Sequence, residues 1–271
     1  MIQVRWTGAA GLEFSYDNAT LLIDPCFSRP GMGEVFFRRL TPDREAVEKR
    51  LRAMKSVQAV VVSHTHFDHV LDVPVVAARC AGPVLGSRSL ANLMGAHGLE
   101  SRVRVCAPGE MIRIDHRLEI TMLPSVHGRM MLGRIPYPGR IDSQPRLPMR
   151  AGDFKVGQVY APKIQLDGQG FLHVGSAGFL DETLKGQTCD VLFLCVPGWD
   201  RTPGYPERII AATRPSTVVL FHHDNFFKPM GPHGRVESFR FIKMQALVER
   251  IRKTNPEVRL LCPDMFETMT F

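Results

Sequence analysis

The sequence predicts an α/β fold in which two mixed β-sheets pack together and carry helices on their outer sides. Three observations predict it. β-type runs alternate with helical patterns along the whole chain. One apolar run, "VQAVVVS" (residues 57–63), is nearly continuous, as expected for a strand covered on both faces. The pattern also falls into two similar halves with no linker, short repeat or low-complexity tract, so residues 1–271 read as one domain.

The opening third reads as strands joined by turns: "IQVRWTG", "GLEFSY" and "ATLLIDP", with Asp17 and Asn18 turning the second into the third. "TPDREAVEKRLRAM" reads as a helix with Thr41 as its N-cap and Pro42 in its first turn, acids preceding bases. After "VQAVVVS" come the helix "DVPVVAARC", the strand "GPVLGS" and the helix "SLANLMGAHG", ending at Gly98. β-type runs return with "RVRVCA", "MIRI" and "LEITMLPS". Residues 128–163 lose periodicity and collect Gly, Pro and basic residues. "IQLDGQGFLHVGS" then predicts a hairpin, followed by the strand "DVLFLCVPG", a helix near "PERIIAAT" and the strand "TVVLFHH". The helix "FRFIKMQALVERIRKT" and the strand "VRLLCPD" complete the second half.

Composition narrows the function classes. A chain of 271 residues with 44% hydrophobic and 23% charged content suits a soluble globular protein. No stretch approaches the roughly 18–20 apolar residues of a membrane span, and "MIQVRWTGAAGLEF" does not read as a signal peptide. The six cysteines form no CxxC pair and mostly sit beside apolar residues. They read as buried free thiols, and the expected compartment is the cytoplasm. A net charge of +7 admits nucleic acid, an anionic small substrate, or solubility alone.

The chemistry begins where "VVVSHTHFDHV" places four metal-capable side chains behind a buried strand: His64, His66, Asp68 and His69. In an extended segment, residues two apart point the same way, so His64 and His66 can share one ion. Asp68 and His69 follow where a helix can begin and can turn toward a neighbouring position. Neutral imidazole with carboxylate suits Zn²⁺, and also Fe or Mn.

His-x-His-x-Asp-His after a hydrophobic strand resembles the signature of the metallo-β-lactamase fold superfamily, whose fold is an αββα sandwich. The resemblance runs along nearly the whole chain. "ATLLIDPCFS" is similar to the early strand ending in Asp-Pro, and "LPSVHG" to the segment carrying the next ligand, here His127. "DVLFLCVPG" and "LFHHDNFF" resemble the branch that includes ascorbate phosphate lactonases and N-acylphosphatidylethanolamine phospholipases. The resemblance implies that His64, His66 and His127 hold one metal, and that Asp68, His69 and His222 hold a second. His223 replaces His222 if the strand register shifts by one. Asp24 would orient a ligand from behind. One departure stands out: "HVGSAGF" puts Ser176 where the family has an aspartate bridging both metals. The second ion is then expected to be weak, absent, or held by another carboxylate such as Asp181 or Asp224, unless a different loop supplies the position. The implied cofactor is Zn²⁺, one or two ions, with Mn²⁺ or Fe²⁺ as alternatives.

A metal with an open position lowers the pKa of bound water toward about 7 and supplies hydroxide for attack on a carbonyl or phosphoryl centre. Asp68 is the candidate catalytic residue, orienting the nucleophile. Two-iron oxygen chemistry on this fold uses Glu at the second ligand position, and His66 argues against that branch. Between Arg129 and Lys163 seven basic residues face Asp142 and Asp153, a local balance of 7 − 2 = +5. Arg140 and Arg146 are the candidate anion-binding residues of this loop. The expectation is a metal-dependent hydrolase of an ester, lactone or phosphodiester on a small, anionic substrate. The alternatives are an RNA-processing nuclease of the same superfamily and a non-catalytic metal-binding protein. Oligomeric state is not legible. His97, His116 and His233 read as surface residues, His173 as a satisfied strand histidine, and Met130 and Met131 as packing residues.

Overall fold

A computed structural model describes residues 1–130, 133–230, 235, 237–239 and 241–271. In the first half, strands β1 (Gln3–Gly8), β2 (Gly11–Tyr16) and β3 (Ala19–Ile23) lead to helices α1 (Met32–Phe37) and α2 (Arg44–Arg52). Then follow β4 (Ser56–Val61), α3 (Phe67–Val70), α4 (Val73–Arg79), β5 (Val84–Gly86), α5 (Arg88–Ala96) and β6 (Val103–Val105). The second half begins with β7 (Met111–Arg113), β8 (Leu118–Ser125), β9 (Val159–Leu166) and β10 (Gln169–Val174). It continues with α6 (Asp181–Leu184), β11 (Val191–Cys195), α7 (Glu207–Thr213), β12 (Thr217–Phe221), α8 (Met244–Thr254), β13 (Arg259–Leu261) and β14 (Thr268–Thr270).

The strands form two seven-stranded mixed sheets, ordered β14-β1-β2-β3-β4-β5-β6 and β13-β12-β11-β10-β9-β8-β7. The sheets share one core in which Trp6, Phe14, Leu21 and Ile23 meet Phe171, Phe193 and Phe221, all wholly buried. Phe14 and Phe171 touch edge to face at 5.2 Å. β4 explains its own apolar run: Ala59 and Val61 face this core, while Val60 and Val62 face a second core under the helices. Each such valine contributes about 1.5–3 kcal/mol by leaving water. On the other outer side Leu192 and Leu194 pack with Ile209, Ile210, Leu247 and Ile251. The β9–β10 hairpin turns through Asp167 and Gly168, both at positive φ (51° and 80°), as a tight right-twisted hairpin requires.

Three features depart from the sequence reading. The cap of α2 is Asp43, whose side chain accepts from the Ala46 N–H at 3.0 Å, and not Thr41. A carboxylate there also meets the helix dipole. The irregular segment ends at Gln158, because Val159–Leu166 is a strand paired to both β8 and β10. Lys163 is therefore a strand residue, its Nζ donating to Gln187 Oε1 at 3.1 Å. Unexpected elements are α1 and β14, the latter bringing the chain's end back to pair with β1. No described helix is long and apolar enough to cross a membrane.

Candidate metal centre

The predicted ligands sit just past the C-terminal ends of three strands: β4 for His64 to His69, β8 for His127 and β12 for His222. β3 leads to Asp24 and β10 to Ser176, so five strand ends open on one rim of the sandwich. The extended Ser63–His66 segment sends alternate side chains to opposite sides. Between His64 and His66, Thr65 turns outward; its N–H donates to Val156 O at 3.0 Å and its hydroxyl to Lys155 O. The short helix α3 then rotates Asp68 and His69 inward.

Two triads result. The candidate ligand atoms of His64, His66 and His127 lie within 4.8 Å of one another, and so do those of Asp68, His69 and His222. In the first triad every imidazole has one nitrogen occupied. His66 Nε2 donates to Pro136 O at 2.9 Å and His127 Nδ1 to Gly128 O at 2.7 Å. His64 Nδ1 donates to Ser63 Oγ at 3.1 Å. Those contacts fix the tautomers and leave His66 Nδ1, His127 Nε2 and His64 Nε2 as lone-pair donors. His64 Nε2 and His66 Nδ1 face each other at 3.1 Å. Such outer partners are what metal-holding histidines require, so the donor set fits a divalent ion.

In the second triad His69 Nδ1 donates to Asp24 Oδ2 at 2.8 Å, which turns Nε2 toward Asp68 Oδ2, 3.7 Å away. His222 Nε2 lies 3.4 Å from the same oxygen. His222 Nδ1 is buried with no hydrogen-bond partner among the described residues, and its backbone is left-handed at φ 62°. A non-glycine residue held there costs on the order of 1–3 kcal/mol and persists where packing over-determines it. That bend also separates the adjacent histidines. His223 points away, its ring tilted by 44° against Trp6 at 4.5 Å and its Nδ1 at 3.2 Å from Ser238 Oγ. His222, not His223, joins Asp68.

Electrostatics suit cation binding. Burial, with the neighbouring imidazoles, holds His64 well below its ordinary value and His66 at about 3; burial likewise lowers His127 to about 4. These rings are neutral at pH 7 and their lone pairs are available. Burial opposes the charge on Asp68, but His69 and His222 win and hold its carboxyl well below the usual range. Burial also opposes a charged His69, yet Asp24 and Asp68 raise it above the usual value.

Asp24 lies behind both triads through a residue the sequence reading missed. Ser63 N–H donates to Asp24 Oδ1 at 2.7 Å and its hydroxyl to Oδ2, while the same Oγ meets His64 and lies 3.4 Å from His69 Nδ1. Its place before His64 was the only signal. Ser176 is buried beside the centre, accepting from the Gly128 N–H at 3.2 Å, so its loop abuts the segment that carries His127. Neither suggested substitute carboxylate is drawn in. Asp181 is exposed and pairs with Arg208, and Asp224 accepts from the Ala9 N–H at 3.0 Å and Arg29 at 2.8 Å. Among the described residues the two triads share no carboxylate.

Pro136 and Tyr137, whose ring is 6.2 Å from His66, press the basic segment against the first triad. Arg140 and Arg146 are exposed and have no ion-pair partner among the described residues. His173 Nε2 donates to Ala10 O at 2.9 Å, with Asp24 Oδ2 3.9 Å away, while its Nδ1 has no partner. His97 and His116 are exposed; His233 and Met131 lie outside the described residues.

Residues 19–223 match the family described as the Beta-lactamase superfamily domain. A metal-dependent hydrolase of Pyrobaculum islandicum is 26% identical over 252 residues, 90% of this chain and 95% of that one. One from Pyrobaculum neutrophilum is 25% identical over 83% of this chain and 85% of that one. In structure, the chain is similar to a metallo hydrolase of Ignicoccus hospitalis (TM-score 0.65, 15% identity, covering 100% and 98%). It is also similar to an isothiocyanate hydrolase from Delia radicum gut bacteria (TM-score 0.59, 16% identity, covering 99% of each). A diiron β-hydroxylase of Streptomyces venezuelae shares the fold at a TM-score of 0.59 and 14% identity, covering 100% of this chain and 54% of that one. This chain belongs to the beta-lactamase superfamily, and its place there is among metal-dependent hydrolases.

Proposed function

We propose that the protein holds zinc, one ion tightly and a second weakly, and hydrolyses an ester, lactone or phosphodiester of a small, preferably anionic molecule. The observation that carries this reading is the convergence of five imidazoles and one carboxylate from three strand ends. Bound there, zinc supplies a Lewis acid and an activated water, while manganese or iron(II) would suit the same donors.

The chain's own residues do the rest. His64, His66 and His127 are the proposed holders of the tight ion, oriented by Ser63, Pro136 O and Gly128 O. Asp68, His69 and His222 are the proposed holders of the weak one. Asp68 is ionised at neutral pH, so its carboxylate can accept a hydrogen bond from the attacking water and orient it. Asp24 keeps His69 turned inward and, through Ser63, steadies His64. Arg140 and Arg146, solvent-facing and without an ion-pair partner among the described residues, can meet a phosphate or carboxylate on the substrate. The similarity of "DVLFLCVPG" to the lactonase and phospholipase branch supports the same substrate classes. The core shared by both sheets supports a single domain, and six free cysteines support a reducing compartment, the cytoplasm.

The test compares chelator-stripped and zinc-reloaded protein on an aryl ester, a lactone and a bis-aryl phosphodiester. The reading expects zinc to restore turnover of at least one. A protein that binds zinc and turns over none of them would overturn the ester, lactone and phosphodiester reading.

A further inference from the structure

We propose that the Arg29–Asp224 ion pair is the positioning device for His222, tying the two sheets together beside the metal centre and setting the affinity for the second ion. The inference rests on the two-ion reading above and names what holds the ligand that lacks an outer partner of its own.

The second triad is drawn from both sheets. Asp68 and His69 follow β4 in the first sheet, and His222 follows β12 in the second. His69 is held from behind by Asp24 at 2.8 Å, whereas His222 Nδ1 has no hydrogen-bond partner among the described residues. The His222 ring is therefore aimed by its packing and by its backbone, which stands at φ 62°. A left-handed histidine persists only where its surroundings over-determine it.

Those surroundings begin two residues later. The Asp224 side chain is 1% exposed and that of Arg29 10%, so both charges are largely out of water. Both Asp224 oxygens are used by the first half of the chain. Oδ1 accepts from the Ala9 N–H at 3.0 Å, in the β1–β2 turn, and Oδ2 accepts from Arg29 Nη1 at 2.8 Å. The same guanidinium donates through Nη2 to Asn225 O at 3.0 Å and through Nε to Lys228 O at 2.7 Å. One planar fork thus grips a carboxylate and two carbonyls of the segment behind His222, a geometry that a lysine ammonium does not reproduce. Arg29 follows Asp24 by five residues, so the staple has the support of His69 near one end and His222 at the other. Gly8 makes room for it: a Cβ there would lie 3.0 Å from Arg29 Nη1. Apolar residues of similar volume often stabilise a fold as well as a buried ion pair does, so stability alone does not account for this one.

The experiment is zinc titration calorimetry on metal-stripped wild type, Asp224→Asn and Arg29→Lys, with thermal melting of the same proteins. Asp224→Asn keeps an oxygen for the Ala9 N–H and loses the charge that faces Arg29. Arg29→Lys keeps the charge and loses the fork. In each variant the second-ion affinity should fall at least roughly tenfold while the first-ion affinity stays as in wild type. A merely structural tie would lower the melting temperature and leave the ratio of the two affinities unchanged. If Asp224→Asn unfolds, Arg29→Lys decides. Equal losses at both ions, an unchanged second-ion affinity, or a wild type that takes up no second ion would each overturn the inference. The titration needs no turnover. Selective loss of the second ion without any zinc-dependent hydrolysis supports the staple and fails only the hydrolytic reading; hydrolysis with the ratio of affinities untouched fails only the staple.

Discussion

The two triads are built from similar side chains but are supported very differently. In the His64, His66 and His127 set, each imidazole has its far nitrogen occupied, by Ser63, Pro136 O and Gly128 O. In the Asp68, His69 and His222 set, among the described residues, only His69 is so held, and His222 Nδ1 is buried without a partner on a strained backbone. Outer partners are worth roughly 10- to 100-fold in metal affinity. The second set has the carboxylate, but on the proposed reading Asp68 would be one negative charge for two dications, with Ser176 adding none. Preorganisation therefore favours the first triad, and charge shortage weakens whichever ion arrives second.

The largest expected effect breaks the stronger side. His66→Ala should reduce hydrolysis by more than the roughly 100-fold that loss of an outer partner costs. Circular dichroism should show an intact fold, since the ring serves the site and not the core. An active variant, or an unfolded one, would contradict the assignment.

Ser176→Asp sharpens the comparison from the weaker side. A carboxylate between the triads should raise second-ion affinity roughly tenfold or more, about 1.4 kcal/mol, by titration calorimetry on stripped protein. An unchanged second affinity would remove Ser176 from the bridging position.

Acid should dismantle the first triad. Burial sets His66 at about 3 and His127 at about 4, against an ordinary 6.5. The unfolded chain takes up those protons first, so metal-free stability is full above about pH 6.5 and falls from there toward pH 3–4. His69, raised by Asp24 and Asp68 against its burial, offsets part of this. Thermal melting of the stripped protein between about pH 7.5 and 4.5 should show Tm falling; a flat Tm would contradict the neutral cluster. The smallest effect belongs to the basic segment. Neutralising the exposed Arg140 and Arg146 together should slow anionic substrates about three- to tenfold relative to neutral ones. Equal losses on both would remove them from substrate recognition.

What the sequence showed and what it hid follow from range. The β4 run and His64 to His69 are contiguous, so periodicity and spacing carry them. β8 is long enough to show its alternation, whereas Val159–Pro162 of β9 are buried without alternation and read as part of the irregular segment. β14 has only Met269 buried, and no pattern marks it as the partner of β1. Asp43 rather than Thr41 caps α2 because side-chain geometry decides between neighbouring candidates, and spacing cannot. Ser63 looks like any residue in a strand end until Asp24, 39 positions earlier, is folded against it. Phe67 and Phe226 are likewise 159 positions apart, and only the fold brings their rings to 6.1 Å.

The most direct test of the unequal triads is the zinc content per chain of wild type, His66→Ala and His222→Ala, after purification without chelators and exhaustive dialysis. We predict about one retained ion in wild type, about one in His222→Ala, and none in His66→Ala. Two ions held equally in wild type, or an ion lost from His222→Ala and kept by His66→Ala, would contradict the account.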